Sequence, residues 1–396
     1  MSRFGDPTDR RIGTNLRWRL PVLVLSAVMP ACIGLASAQP ATQADAMRQV
    51  KVFKAGRGGY DTYRIPALAV TKKGTLLAFC EGRKNGPSDS GNIDLVLRRS
   101  LDNGRTWAPA RMIVDDGGNT CGNPCPIVDT RTGTVLLLMT RNKGSENEDR
   151  IMKGEAAPRT VWLTKSGDDG VTWSEPADIS AQVRKPDWRW YATGPCHGIQ
   201  LRDGRLVAPC DHATGPADED MHSHVIFSED GGASWRIGGI AEGRMDECAV
   251  LELADGSLYL NMRNCHGTNR RAVSLSRDRG ITWSSLAEDN TLVEPVCQAS
   301  VLRLSTEKER GKNRVLFSNP ASKRRENLTV RLSYDECKTW PVAKTLWEGP
   351  AAYSDLTVTA DGMIGCLFES GKKGPYEGIT FALFTLEWLT NGADHL

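Results

Sequence analysis

The sequence offers few of the signals that usually announce a function. It contains no His-Glu-x-x-His run, no phosphate-cradling glycine loop and no cofactor fingerprint. Its six histidines, His212, His222 and His224 among them, therefore read as loop or core residues and not as metal ligands. Cysteines are no better organised: Cys121 and Cys125 are the closest two of eleven, and no second pair at matching spacing turns them into a metal site. They read as ordinary cysteines or one local disulfide. Long amphipathic helices are not evident and no Pro/Ser-rich linker divides residues 48–390, which favours one large all-β domain in a chain of 396 residues.

Net charge is missing too, once the N-terminus is set aside. Residues 1–19 carry five arginines, and the apolar stretch Leu20–Ala36, interrupted by Pro21 and Pro30, closes on Ala36-Ser37-Ala38. That is the layout of a signal peptide. The expectation is export, secreted or periplasmic, with cleavage near Ala38, a spacer over 39–47 and a domain over 48–390. A retained anchor or a lipid at Cys32 is the alternative, although Met29-Pro30-Ala31 poorly matches a lipoprotein site. Removing residues 1–38 takes away five Arg and two Asp, leaving 45 basic against 46 acidic residues, a net charge of −1. Composition then gives no case for nucleic acid or an anionic membrane as partner, and any anion binding must be local.

What the sequence does have is tryptophan, 11 residues against 7 Tyr and 8 Phe. A repeat accounts for five of them. Ser100-Leu-Asp102-Asn-Gly104-Arg-Thr106-Trp107 recurs at Ser166–Trp173, Ser228–Trp235 and Ser276–Trp283, and again at Ser333–Trp340 with Cys337 in place of glycine. The pattern is that of a hairpin tip: Ser and Asp side chains bond nearby backbone N–H groups, Gly supplies a positive φ, and Trp packs beneath. These aspartates are structural, since a calcium loop needs more oxygen ligands, and Cys337 predicts a distorted fifth turn. Each copy follows a β-rich run such as 92–99, 159–165 or 327–332, and copies start 48 to 66 residues apart, about the length of a four-stranded propeller blade. Five copies do not set the blade number.

With these repeats, Tyr63-Arg64-Ile65-Pro66 resembles the bacterial and animal exo-sialidases, over about Val52 to Trp388. The resemblance implies an all-β, six-bladed propeller of four-stranded antiparallel blades, acting on sialylated glycans (glycoproteins, gangliosides, oligosaccharides). It needs no metal or cofactor, and the mature chain is expected to be a monomer without a membrane span. Three arginines would clamp the substrate carboxylate: Arg64, Arg263 in Met262-Arg263-Asn264, and Arg325, with Arg324 as neighbour to the last. A planar, permanently charged fork matches a carboxylate bidentately, whereas a single arginine is more often a surface charge. Asp89 matches the general acid, with Asp94 as a structural competitor at the start of a strand. Arg83 would reach the sugar's 4-hydroxyl, or simply pair with Glu81.

Tyr353 matches the nucleophile and Glu247 its base, and Glu369 the carboxylate that braces the first arginine. A neutral phenol suits an anomeric carbon that bears a carboxylate, which would repel an Asp or Glu nucleophile. Tyr191, next to Trp190, matches a pocket-lining loop, and Trp188 and Trp190 are the tryptophans expected near substrate. The implied reaction is double displacement with retention. A trans-sialidase, a glycosidase for a deaminated sialic acid, or a non-catalytic sialoside-binding propeller are the rivals. Asn327-Leu-Thr329 fits a glycosylation acceptor but falls within a strand pattern beside Arg325.

Overall fold

The computed structural model describes residues 47–396, so the expected signal peptide and all but the last residue of the spacer lie outside the described residues. The chain builds six four-stranded antiparallel sheets in a ring. Strand β1 (Met47–Lys54) is set aside for the last of them. Blade 1 is β2 (Thr62–Val70), β3 (Leu76–Arg83), β4 (Ile93–Ser100) and β5 (Arg111–Val114); blade 2 is β6 (Thr120–Val128), β7 (Val135–Asn142), β8 (Thr160–Ser166) and β9 (Ala177–Asp178). In blade 3 the inner strand is interrupted, β10 (Trp190–Thr193) and β11 (Ile199–Gln200), followed by β12 (Leu206–Ala213), β13 (Met221–Ser228) and β14 (Arg236–Gly243). Blade 4 is β15 (Met245–Glu252), β16 (Leu258–Asn264), β17 (Arg270–Ser276) and β18 (Ala287–Val293).

Blade 5 is β19 (Ser300–Ser305), β20 (Arg314–Pro320), β21 (Glu326–Ser333) and the first half of β22 (Val342–Val358). That long strand pairs with β21 as far as Pro350 and from Ala351 onward with β23 (Ile364–Ser370). Its second half, β23, β24 (Gly378–Phe384) and β1 make blade 6, in which Met47 pairs with Phe384 and closes the ring. Beyond residue 390, Asp394 is buried and receives hydrogen bonds from Arg314 Nε (2.7 Å) and Nη2 (2.8 Å).

Six apolar clusters, one at each blade–blade interface, form the core. Strands such as β3 and β12 are buried at every position because both faces are covered by neighbouring blades, so each opens on an apolar run, Leu76–Cys80 and Leu206–Cys210, before the polar residues at its far end. The repeat tryptophans bind blade to blade. Trp107 meets Phe381 edge-on at 5.3 Å, Trp173 meets Phe79 at 5.8 Å, and Trp340 donates from Nε1 to Asp289 Oδ2 at 2.9 Å, each contact reaching the preceding blade.

All five repeats join the third strand of a blade to its fourth. In the first, Ser100 Oγ accepts from Gly104 N (2.8 Å) and Asp102 accepts from Thr106 N (2.8 Å) and Oγ1 (2.6 Å). The distortion expected at the fifth does not occur. Cys337 N donates to Ser333 Oγ at 3.0 Å and Asp335 keeps both bonds to Thr339, with Cys337 held at φ 65°. The turn survives because the Cys337 side chain drops into the apolar interface between blades 4 and 5, where burial offsets the left-handed backbone.

Candidate active site

Antiparallel order puts the turns between third and fourth strands at one end of the ring and the links between second and third strands at the other. The predicted site residues gather at this second end, around a cavity of about 160 Å³ lined by Arg64, Arg83, Asp89, Glu247, Arg263, Arg325 and Tyr353, with Trp190, Arg159 and four further carboxylates: Glu81, Glu148, Asp211 and Asp246. Inner strands reach it through breaks in register. The β2–β3 ladder slips between Arg64 and Ala67, β6–β7 between Gly122 and Cys125, β15–β16 between Met245 and Cys248, and β22–β23 between Ala351 and Ser354. Each break sits where a side chain must turn into the channel, the usual work of a β-bulge. The Arg-Ile-Pro run is one of them: Ile65 holds φ 58°, a costly setting for a β-branched residue, with its N–H bonded to Glu369 Oε1 at 2.9 Å.

The three arginines come from blades 1, 4 and 5. Arg64 Nε donates to the fully buried Glu369 at 3.1 Å, and the same carboxylate accepts from Tyr353 N at 3.2 Å, so Glu369 ties the first arginine to the strand that carries the tyrosine. Arg64 Nη2 is buried without a protein partner. Arg325 Nη1 donates to Tyr376 Oη at 2.7 Å, and the Tyr376 ring stacks 4.2 Å beneath the Arg64 guanidinium. Arg325 meets no carboxylate at ion-pair distance among the described residues, whereas Arg324 is exposed and pairs with Glu326 at 2.9 Å. Of the two arginines, Arg325 is the one that lines the cavity.

Tyr353 Oη donates to Glu247 Oε1 at 2.5 Å, and Arg263 Nη1 lies 2.8 Å from Glu247 Oε2 and 3.2 Å from Tyr353 Oη. Burial, then the charge of Glu247, pushes the phenol well above its ordinary pKa, while Arg263 and Arg325 pull the other way. Asp89 stands on the exposed β3–β4 loop with its carboxylate 2.7 Å from Arg83 Nη2 and 3.3 Å from Arg64 Nη1. Burial raises its pKa, but the two arginines outweigh that and hold it below the usual carboxylate value. Arg83 also pairs with Glu81 at 2.6 Å, so it both lines the cavity and has the partner foreseen for it. Asp94 is structural: it is buried and accepts from Tyr60 Oη at 2.8 Å.

Tyr191 must be removed from the substrate-contacting set. In β10 successive side chains alternate, so Trp190 and Ala192 face the cavity and Tyr191 faces the interface with blade 2, fully buried with its hydroxyl 3.0 Å from His224 Nε2. Trp188 is likewise internal, stacked on His212 with ring centroids 3.5 Å apart. Asp246, Asp211, Glu148 and Arg159 also line the cavity, beyond the residues expected from the sequence. Asp246 Oδ2 lies 3.1 Å from Arg263 Nε, and burial lifts its pKa to about 6. Asp211, 1% exposed, is pushed well up by burial and by Asp246 and Glu247. Glu148 begins the short helix α1 (Glu148–Met152) in the β7–β8 link, and burial, then Asp246, raises it to about 7. Arg159, buried under the Trp190 ring at 4.0 Å, donates to Asn123 Oδ1 at 2.7 Å. Asp246 could have been found as the neighbour of Glu247; the other three carry no local pattern.

The ring and its end-on cavity define a six-bladed β-propeller whose site combines an anion-binding arginine cluster with a tyrosine–carboxylate pair. A BNR repeat-like domain matches residues 74–366. The chain is 34% identical over 351 residues to a sialidase of Micromonospora viridifaciens, covering 84% of this chain and 53% of that one. To an exo-alpha-sialidase of Aspergillus fumigatus it is 32% identical over 371 residues, covering 85% and 87%. The solved structure of the Hadza microbial sialidase Hz136 superposes with a TM-score of 0.78 at 34% identity, covering 86% of this chain and 69% of that one. This chain belongs to the sialidase family, and it spans about half the length of the Micromonospora relative.

Proposed function

We propose that this protein is an exo-α-sialidase that hydrolyses terminal sialic acids from glycoconjugates with retention. The observation that carries the proposal is the 2.5 Å contact of Tyr353 with Glu247 on the floor of a cavity ringed by Arg64, Arg263 and Arg325. The arginines bind the substrate carboxylate and set the anomeric carbon over Tyr353. Tyr353 oxygen attacks that carbon as its proton passes to Glu247, and Asp89 gives a proton to the departing glycosidic oxygen. In the second half Asp89 takes a proton from water, the water oxygen displaces Tyr353 from the anomeric carbon, and Glu247 returns the proton to the phenolate. Asp89 begins with its acidity strengthened by Arg83 and Arg64. A substrate carboxylate on Arg64 offsets that positive charge and raises Asp89 towards the protonated form an acid needs.

The test is hydrolysis of 4-methylumbelliferyl sialic acid by the wild type, Tyr353→Phe and Asp89→Ala, with NMR of the first-formed anomer and lactose offered as acceptor. An α-anomer first, with loss of turnover in Tyr353→Phe, supports the mechanism. An inert folded wild type defeats the proposal, and sialyl-lactose as main product would make it a trans-sialidase. Export rests on the leader pattern of residues 1–38, and a mature N-terminus near Gln39 by mass spectrometry is the expected result.

A further inference from the structure

Beside the arginine-lined cavity lies a second hollow of about 400 Å³, bounded by the Ser88–Ser90 turn and by Asn147–Asp149 and Met152 of the α1 segment. Two residues, Asp89 and Glu148, line both spaces. An acid that protonates a glycosidic oxygen stands where the held sugar ends and the leaving group begins, so the hollow beyond Asp89 is where the leaving group lies. We propose that this hollow is the aglycone site, and that it selects neutral, hydroxyl-rich sugars over anionic ones. The inference rests on the sialidase reading given above.

The lining chemistry fits a polyol. Ser88 and Ser90 present hydroxyls 3.4 Å apart, Glu148 and Asp149 present carboxyl oxygens that accept from sugar hydroxyls, and Met152 offers an apolar surface to a pyranose face. Asn147 Oδ1 is already committed to Arg150 N at 3.0 Å. The same lining opposes an anion: it includes three carboxyl groups and no basic side chain. Lys153 pairs with Asp149 Oδ2 at 2.8 Å, but Glu148 has no cation at ion-pair distance among the described residues. The arginines that could neutralise a charge lie on the other side of Asp89, where the first sugar's carboxylate takes them. An aglycone that is itself a sialic acid, as in an α2,8-linked dimer, would bring its carboxylate against Asp149 and Glu148, the latter fully charged only above its pKa of about 7, and at pH 8 repulsion of like charges in this open hollow reduces its use by about tenfold.

The experiment compares kcat/KM of the full chain at pH 8, where Glu148 is ionised, on 4-methylumbelliferyl sialic acid, 3′-sialyllactose and an α2,8-linked sialic acid dimer, for the wild type, Glu148→Gln and Asp149→Asn. The expected result is a preference of about tenfold for sialyllactose over the dimer, narrowed severalfold in both variants and narrowed in the wild type by added salt. A wild-type ratio near one, or a ratio that neither substitution moves, overturns the assignment while turnover of the aryl substrate upholds the sialidase reading. No turnover of any substrate by the folded wild type overturns both.

Discussion

Glu247→Gln separates a proton acceptor from a structural brace. Glutamine keeps the side-chain length and an amide oxygen facing Tyr353 Oη, so the 2.5 Å contact relaxes without leaving a hole, but the amide cannot take the phenolic proton. Arg263 loses its 2.8 Å partner and keeps Asp246 at 3.1 Å. The carboxylate-binding positions of Arg64 and Arg325 are untouched, because neither is held by Glu247. A lost general base is worth roughly 10² to 10⁴ in rate, and Arg263 and Arg325 still favour the developing phenolate, so kcat should fall by about 10² to 10³, a barrier increase of about 3–4 kcal/mol. KM should stay within about threefold of the wild type. Steady-state kinetics on the fluorogenic sialoside give both numbers. A kcat within about fivefold of the wild type, or a raised KM at unchanged kcat, would refute the assignment and leave Glu247 as a support for Arg263.

Three further outcomes follow from the turns and the carboxylates. A Cβ on Gly104, at φ +83°, would stand 2.1 Å from Phe381 Cε1, so Gly104→Ala should cost about 2–4 kcal/mol in urea unfolding; Gly362→Ala, at φ +81° with open space, should cost about 1 kcal/mol. Asp168, Asp230 and Asp278 are held down to about 2 by hydrogen bonds from Thr172, Ser234 and Thr282. Their contribution is complete above the unfolded value of about 4 and disappears as pH falls through about 2, so replacing all three with Asn should flatten stability against pH in that window. Glu148 has the opposite sign: its native pKa of about 7 exceeds the unfolded value of about 4.3, so its ionisation weakens the fold as pH rises between them. Glu148→Gln should raise the unfolding midpoint at pH 8 and leave it unchanged at pH 4.

The turn repeat was legible because its contacts are local, spanning four residues between Ser100 and Gly104 or between Asp102 and Thr106. The same locality hid the blade count. A turn exists only where third and fourth strands are consecutive, and in blade 6 these are β24 and β1, from opposite ends of the chain. The arginines, Asp89, Tyr353, Glu247 and Glu369 were found by resemblance to a family motif, not by composition. Asp211, Glu148 and Arg159 belong to a pocket assembled from separate blades, so no spacing announces them. Tyr191 was misplaced by one position, enough in a strand to send a side chain to the other face. Cys337 misled because glycine's advantage was weighed against backbone alone, without the apolar interface its side chain enters.

The pairing of β1 with β24 has a consequence for how the molecule comes into being. Met47 and Phe384 are partners across almost the whole described chain, so the contact that completes the ring is also the one with the longest loop to close. Until both ends of the polypeptide have emerged, blade 6 lacks its outermost strand, and β24 presents an unpaired edge. The interface between blades 6 and 1 is then missing Val52 and Phe53. A chain stopped short, or one whose first strand is held elsewhere, is thereby left as an open arc with an adhesive end, and aggregation competes with closure for as long as that end is free.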